Sequence, residues 1–192
     1  MKVINKLIED KMDEADKLHL HNVNCIATLL ASIMMLDDYD LMVVSIAAGI
    51  HDIGKIQLDQ DVLNAERRLT EEEYKHVKQH SHNSSELFIR NVSDSMDTNL
   101  VIAISKAIMY HHERESGEGY PGGLKGRAIP IHAKIIAVAD VYDALSSKRC
   151  YKDSWDTEEV DKHFIENSGK LYDRDVVKAL LGCTYNIRKL YK

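Results

Sequence analysis

The sequence predicts an all-α protein, and three observations carry that expectation. Apolar residues return every three or four positions over long stretches, no run alternates apolar with polar residues over strand length, and only two prolines interrupt 192 residues. One segment dominates the pattern. From Leu41 to Ile50 the chain is almost unbroken in apolar side chains, and it ends in His51-Asp52, followed by Gly54 and Lys55. A helix that is apolar all round is buried, so its polar end faces a pocket. That places an imidazole, a carboxylate and an ammonium in one buried region, with Gly54 letting the backbone turn sharply between them.

The elements follow in order. Ile4, Leu7, Ile8, Met12, Ala15, His19, Val23, Ile26, Ala27, Leu30, Ile33 and Met34 share one helical face through the first 35 residues. His19 lies on that face. His21 falls roughly 200° further round, with Cys25, Thr28 and Ser32, and is the weaker ligand candidate. Asp37-Asp38 punctuates the chain before the buried helix. After Lys55 a short segment rich in Asp and Gln leads to Thr70 and Glu73, spaced as a capping box for a helix running through His80 to about Ile89. A polar break from Ser93 to Asn99 precedes a stripe of Val101, Ile104 and Ile108 that continues to His111 or His112. Gly117, Gly119, Pro121, Gly122, Gly123 and Gly126 then concentrate more than half of the chain's nine glycines and two prolines in one shaped loop. Ile131, Ile135, Val138, Ala139, Tyr142 and Leu145 describe another helix, with Asp140 and Asp143 one turn apart. Two last helices cover about Thr157 to Asn167 and Asp173 to Leu190.

Composition bounds the class. At 29% charged and 44% hydrophobic residues the chain is ordinary for a globular protein, and one domain over residues 1–192 is expected. A formal charge of −6 argues against duplex nucleic acid bound through a basic face. Cys25, Cys150 and Cys183 form no CxxC pair, which predicts reduced thiols and a cytoplasmic setting. Neither a signal-peptide core nor an apolar run of membrane-spanning length is present, so no membrane attachment is expected.

His19, His51, Asp52, His80, His111, His112 and Asp140 lie on or at the ends of apolar helical faces. Nitrogen and carboxylate donors without thiolate suit iron, manganese or similar divalent metals. One division gives His19, His51, Asp52 and Asp140 to a first ion and Asp52, His80, His111 and His112 to a second, Asp52 bridging. Two ions about 3.5–4 Å apart hold a hydroxide between them and clamp a phosphate oxygen during in-line attack, which implies phosphoester hydrolysis. Any one of these residues alone is more often a hydrogen-bonded core group. Their joint occurrence on separate segments, beside a His-Asp pair, favours the metal site. His76, His82, His132 and His163 have no such support and are assigned to surface or packing. Arg149 and Lys152, three apart, either aim at one phosphate or form a solvated basic patch with Lys148. Tyr120 and Tyr151 either stack on a base or cover the site.

The segments HDIGK (51–55), LTEEEYKHVKQH (69–80), HHERESGEGYPGGLKGRAIP (111–130) and AVADVYDALSSKRCYK (137–152) resemble the HD-GYP family, a subgroup of the HD metal-dependent phosphohydrolases. The pattern HxxxVxxxAxxxA from His19 to Ala31 belongs to the same resemblance and favours His19 over His21. The resemblance implies a compact helical bundle with two or three metals, often iron or manganese, in its core. It also implies phosphodiesterase activity on cyclic di-GMP giving pGpG or GMP. Carried over by position, the seven residues above are the metal ligands, with Asp52 and Lys55 as the catalytic pair. Lys55 stands beside the scissile phosphate, Arg149 and Lys152 grip the ligand's phosphates, and the Gly119-Tyr120-Pro121 loop shapes the substrate entrance and meets partner proteins.

The departures are specific. Ala15 stands where three-metal members carry a glutamate, so two metals are expected. Ser116 replaces the usual aspartate, Glu115 a tryptophan, Ser84 a glycine and Cys150 a proline. The competing expectations are another cyclic dinucleotide or nucleotide as substrate, or a weakly active module that binds a nucleotide or a signalling protein through the altered loop.

Overall fold

The computed structural model describes residues 1–92, 96–147 and 155–191. Its described residues form the expected all-α architecture, with one isolated bridge, Ser168 to Tyr172, in place of any strand. The face read through the first 35 residues belongs to two helices, α1 (Lys2–Lys11) and α2 (Glu14–Ile33). Asp13 separates them: its extended backbone starts a new helix and its carboxylate accepts the Asp16 amide at 2.8 Å. Asp37 caps α3 (Asp38–Ala48) in the same way, and Val43, Val44, Ala47 and Ala48 are wholly buried.

After α3 the chain turns through His51-Asp52 into a 3-10 turn, Ile53–Gln57. Gly54 has an ordinary backbone there, so sharp turning is not its role. It lies flat against α6 (His80–Asn91): a Cβ at this position would stand 2.5 Å from the Ser84 nitrogen and 2.8 Å from the Asn83 Cβ. Close approach, not a turn, requires the glycine.

The short α4 (Gln60–Leu63) leads to α5 (Glu71–Val77), whose Thr70–Glu73 capping box is present in both directions. The helix expected to run on through His80 is interrupted at Lys78-Gln79. The Gln79 amide bonds His76 O at 3.0 Å, a tightened i to i−3 turn, and His80 opens α6. Then follow α7 (Thr98–Met109), α8 (Ile131–Ser146), α9 (Thr157–Asn167) and α10 (Arg174–Ile187), the last running into a 3-10 turn, Arg188–Tyr191. Helix α2 packs on α3 and α8, and α7 on α3 and α6, around fully buried Ile26, Leu30, Ile104, Ile108, Ile135 and Ile136. Burying each such side chain contributes about 1.5–3 kcal/mol. No described helix is long and apolar enough to cross a membrane, and Cys25 and Cys183 are free thiols, with Cys150 outside the described residues.

Candidate metal centre

Seven predicted donors reach one point from five places in the chain: mid-α2 (His19), the end of α3 (His51, Asp52), the start of α6 (His80), the end of α7 (His111, His112) and α8 (Asp140). Asp52 is central and 4% exposed. Its Oδ1 lies 3.2 Å from His80 Nε2 and 4.0 Å from His111 Nε2. Its Oδ2 lies 3.6 Å from His51 Nε2, 3.7 Å from His19 Nε2 and 2.5 Å from the Lys55 ammonium.

Three groups of donor atoms each fall within 4.8 Å of one another: Asp52 with His80, His111 and His112; His19 with His51 and Asp52; and His51 with His111 and Asp140. The second expected set of four is thus assembled whole. The first is spread, because Asp140 reaches toward His51 and His111 as well as standing 3.2 Å from His19 Nε2.

The imidazoles are aimed by the backbone. His51, His80 and His111 each lie three residues beyond a carbonyl in the last turn of the preceding helix. Their Nδ1–H groups donate to Ala48 O at 2.9 Å, Val77 O at 2.8 Å and Ile108 O at 2.6 Å. Carbonyls at helix ends lack intrahelical partners, so they are free to fix the rings. With the hydrogen on Nδ1, each Nε2 presents its lone pair inward.

His51 Nε2 and His111 Nε2 are buried without a hydrogen-bond partner, and the Nε2 atoms of His80 and His112 face each other at 2.9 Å. Buried acceptors aimed at one spot fit a divalent cation. Burial lowers the pKa of His51, His80 and His112, and takes His111 down to about 4, so these rings are neutral. Burial would raise Asp52, but the adjacent Lys55 ammonium holds it well below the usual carboxylate range. For Asp140, burial is likewise outweighed by His19.

His19 is different, because it sits mid-helix where carbonyls are already used. A carboxylate replaces them: Asp143 Oδ2 accepts from His19 Nδ1 at 2.6 Å. Burial lowers the His19 pKa, yet hydrogen bonds to Asp140 and Asp143 outweigh it and push it up to about 10. Sequence reasoning noted Asp143 one turn from Asp140 but gave it no role. Glu113 was also missed as an anchor. It is buried, and its carboxylate accepts the Gly122 and Leu124 amides at 2.6 and 2.9 Å, tying the glycine-rich loop to the residue beside His112.

Tyr120 covers the centre. Its ring stacks on His112, centroids 4.7 Å apart, and the Lys78 ammonium lies 5.1 Å from it. The replaced positions are accommodated. Ser84 Oγ accepts the Gly54 amide at 2.7 Å, Glu115 pairs with Lys134 at 2.8 Å, and the Ser116 amide donates to Lys170 O at 2.8 Å. Ala15 is exposed, while Asp16 shares a cavity of about 90 Å³ with Lys55 and Gln60. His76 and His82 are exposed, His132 pairs with Asp40 at 2.7 Å, and His163 bonds the Tyr172 hydroxyl at 3.0 Å, as packing or surface residues do. Lys148, Arg149, Tyr151 and Lys152 lie outside the described residues.

The chain is similar to known proteins. The chain is 36% identical over 169 residues to the cyclic di-GMP phosphodiesterase response regulator RpfG of Xanthomonas campestris pv. campestris, covering 88% of this chain and 43% of that one. It is 31% identical over 163 residues to the 3'3'-cGAMP-specific phosphodiesterase 2 of Vibrio cholerae, covering 85% of this chain and 30% of that one. The chain thus spans less than half the length of these curated relatives. In fold it is similar to Bd1817, an HDG"Y"P protein from Bdellovibrio bacteriovorus, with a TM-score of 0.67 at 18% identity over 96% of this chain and 60% of that one. A family model described as HD domain matches residues 2–176, a span that holds His51-Asp52 and every other donor named above, and on that match the chain belongs to the HD domain family.

Proposed function

We propose that this chain is a metal-dependent phosphodiesterase of the HD-GYP type that hydrolyses cyclic di-GMP to pGpG, GMP or both in the cytoplasm. The observation that carries the reading is the sharing of Asp52, whose two oxygens face two groups of nitrogen donors with Lys55 beside one of them. His19, His51, Asp52 and Asp140 would hold one divalent ion and Asp52, His80, His111 and His112 another, iron or manganese suiting such donors. When bound, the pair supplies Lewis acidity and a water that loses its proton near neutrality.

The chain's own residues supply position and charge. Asp52 sets the spacing of the two groups. Burial opposes the charge on Lys55, but Asp52 raises its pKa and keeps it protonated, placed to stabilise charge developing on a phosphate oxygen. Tyr120 shields His112 from one side. Arg149 and Lys152 are proposed to grip the ligand's phosphates, and the Gly119-Tyr120-Pro121 loop to meet a signalling partner. The Vibrio cholerae relative favours a second reading, 3'3'-cGAMP as substrate.

The test is hydrolysis of both dinucleotides by protein purified without oxygen, with metals counted and Asp52→Ala alongside. About two metals per chain and turnover lost in the variant are expected. A fully loaded protein that turns over neither dinucleotide would refute the proposal in favour of a binding role.

A further inference from the structure

Three of the histidines take their orientation from backbone carbonyls, which cannot rotate away. His19 takes its orientation from a side chain, and a carboxylate turns about its own bonds unless it is pinned. Asp143 is pinned on one oxygen. Its Oδ1 accepts from Asn22 Nδ2 at 2.9 Å, from Ser147 Oγ at 3.1 Å and from the Tyr191 hydroxyl at 2.8 Å, leaving Oδ2 to His19. Asn22 and Ser147 are local to α2 and to the end of α8. Tyr191 arrives from 48 residues away, at the end of the chain.

The turn that carries Tyr191 is fixed at its other end, where Arg188 pairs with Asp161 of α9 at 2.9 Å. Between these two anchors the tyrosine ring borders a cavity of about 250 Å³, also lined by Tyr142, Ser146 and Val160. The ring is only half-buried, so its contribution as packing is small. Its hydroxyl is the specific element. Burial and the adjacent Asp143 carboxylate push the phenol's pKa upward, so it remains a donor.

We propose that Tyr191 is a positioning residue of the metal centre: its hydroxyl locks the Asp143 carboxylate, and through it the Nε2 direction of His19, so that the C-terminal turn sets metal affinity. The inference rests on the metal reading above. A carboxylate that accepts from the far nitrogen of a metal-binding histidine has a large effect on affinity, and an anchor of that carboxylate has a smaller one.

The experiment titrates Mn²⁺ into the metal-stripped protein against a chelating competitor, for wild type, Tyr191→Phe, Asp143→Asn and the double variant. Tyr191→Phe removes one oxygen and leaves the ring. It is expected to weaken one of two binding steps about five- to tenfold and leave the other unchanged, with the melting temperature of the metal-free protein as in wild type. Asp143→Asn is expected to weaken the same step about 10- to 100-fold, and adding Tyr191→Phe to it changes nothing further, because Tyr191 acts through Asp143. Unchanged affinity in Tyr191→Phe overturns the proposal. So do additive effects in the double variant, and so does an equal loss at both steps together with a lower metal-free melting temperature. Wild-type protein that binds no Mn²⁺ overturns the metal reading itself, and this inference with it.

Discussion

Replacing Gly54 with alanine probes how tightly the centre depends on one backbone contact. The new methyl carbon would lie 2.5 Å from the Ser84 nitrogen and 2.8 Å from the Asn83 Cβ, both held within α6. Ordinary contact begins near 3.4 Å, so the 3-10 turn and α6 must separate by about 1 Å. That separation breaks the 2.7 Å bond from the Gly54 amide to Ser84 Oγ and leaves a buried donor unpaired. Overpacking costs about 1–3 kcal/mol and the lost bond about 1–3 more. We expect destabilisation of about 2–6 kcal/mol, which lowers the melting temperature by roughly 4–24 °C in a chain of this length.

The movement also separates Asp52 from His80, now 3.2 Å apart, because one precedes the turn and the other opens α6. Metal sites tolerate about 0.2 Å, so the ion shared by Asp52 and His80 is lost first. Thermal unfolding of the metal-free protein and metal counting by mass spectrometry read the two effects separately. A Gly54→Ala protein that melts within about 2 °C of wild type and retains its full metal complement would refute the reasoning.

Three further outcomes are expected. Glu113→Ala removes the acceptor of two loop amides and should cost about 3 kcal/mol while speeding proteolysis between Gly117 and Gly126; wild-type protease resistance would count against the anchor. Lys55→Met should keep the metals but slow hydrolysis about 10²–10³-fold, and loss of metals with the activity would instead make Lys55 a structural partner of Asp52. In the metal-free protein the His19 pKa is pushed up to about 10, above the unfolded value near 6.5. The folded state therefore binds more protons between those values, so the stabilisation from His19 is full below about pH 6.5 and is lost as pH rises through about 10. A metal displaces that proton, so Mn²⁺ loading at pH 7.5 should release protons and tighten toward pH 10, measured by calorimetry in buffers of different ionisation enthalpy. Loading without proton release would contradict the His19–Asp140–Asp143 arrangement.

The cluster was legible in the sequence because histidine and aspartate at the ends of apolar stretches are chemically unusual, and the seven side chains converge as expected. What was misread depends on contacts between distant segments. Gly54 looked like a turn glycine because nothing local shows that α6, thirty residues on, lies against it. Tyr120, expected to stack on a base or cover the site, lies over His112 only because the loop folds back across it. Asp143 shares a helical face with Asp140, but only the fold shows that His19, alone of the four oriented rings, has no helix-end carbonyl to hold it. The Asp13 cap was present in the sequence, yet the uninterrupted apolar period across it concealed the start of α2.

The carbonyls that hold His51, His80 and His111 belong to the ends of α3, α5 and α7, and so three helices turn their electronegative ends toward one small volume. Each end carries up to about half a negative charge, and the carboxylates of Asp52 and Asp140 add to it. Among the described residues of the centre, Lys55 and the proton on His19 oppose that field. A nucleotide phosphate approaching it is repelled, whereas a divalent cation is drawn in. If the proposed function holds, events are ordered: cations load first, and their arrival reverses the sign of the local potential so that an anionic diester is then attracted. On that reading, metal supply gates substrate binding as well as chemistry.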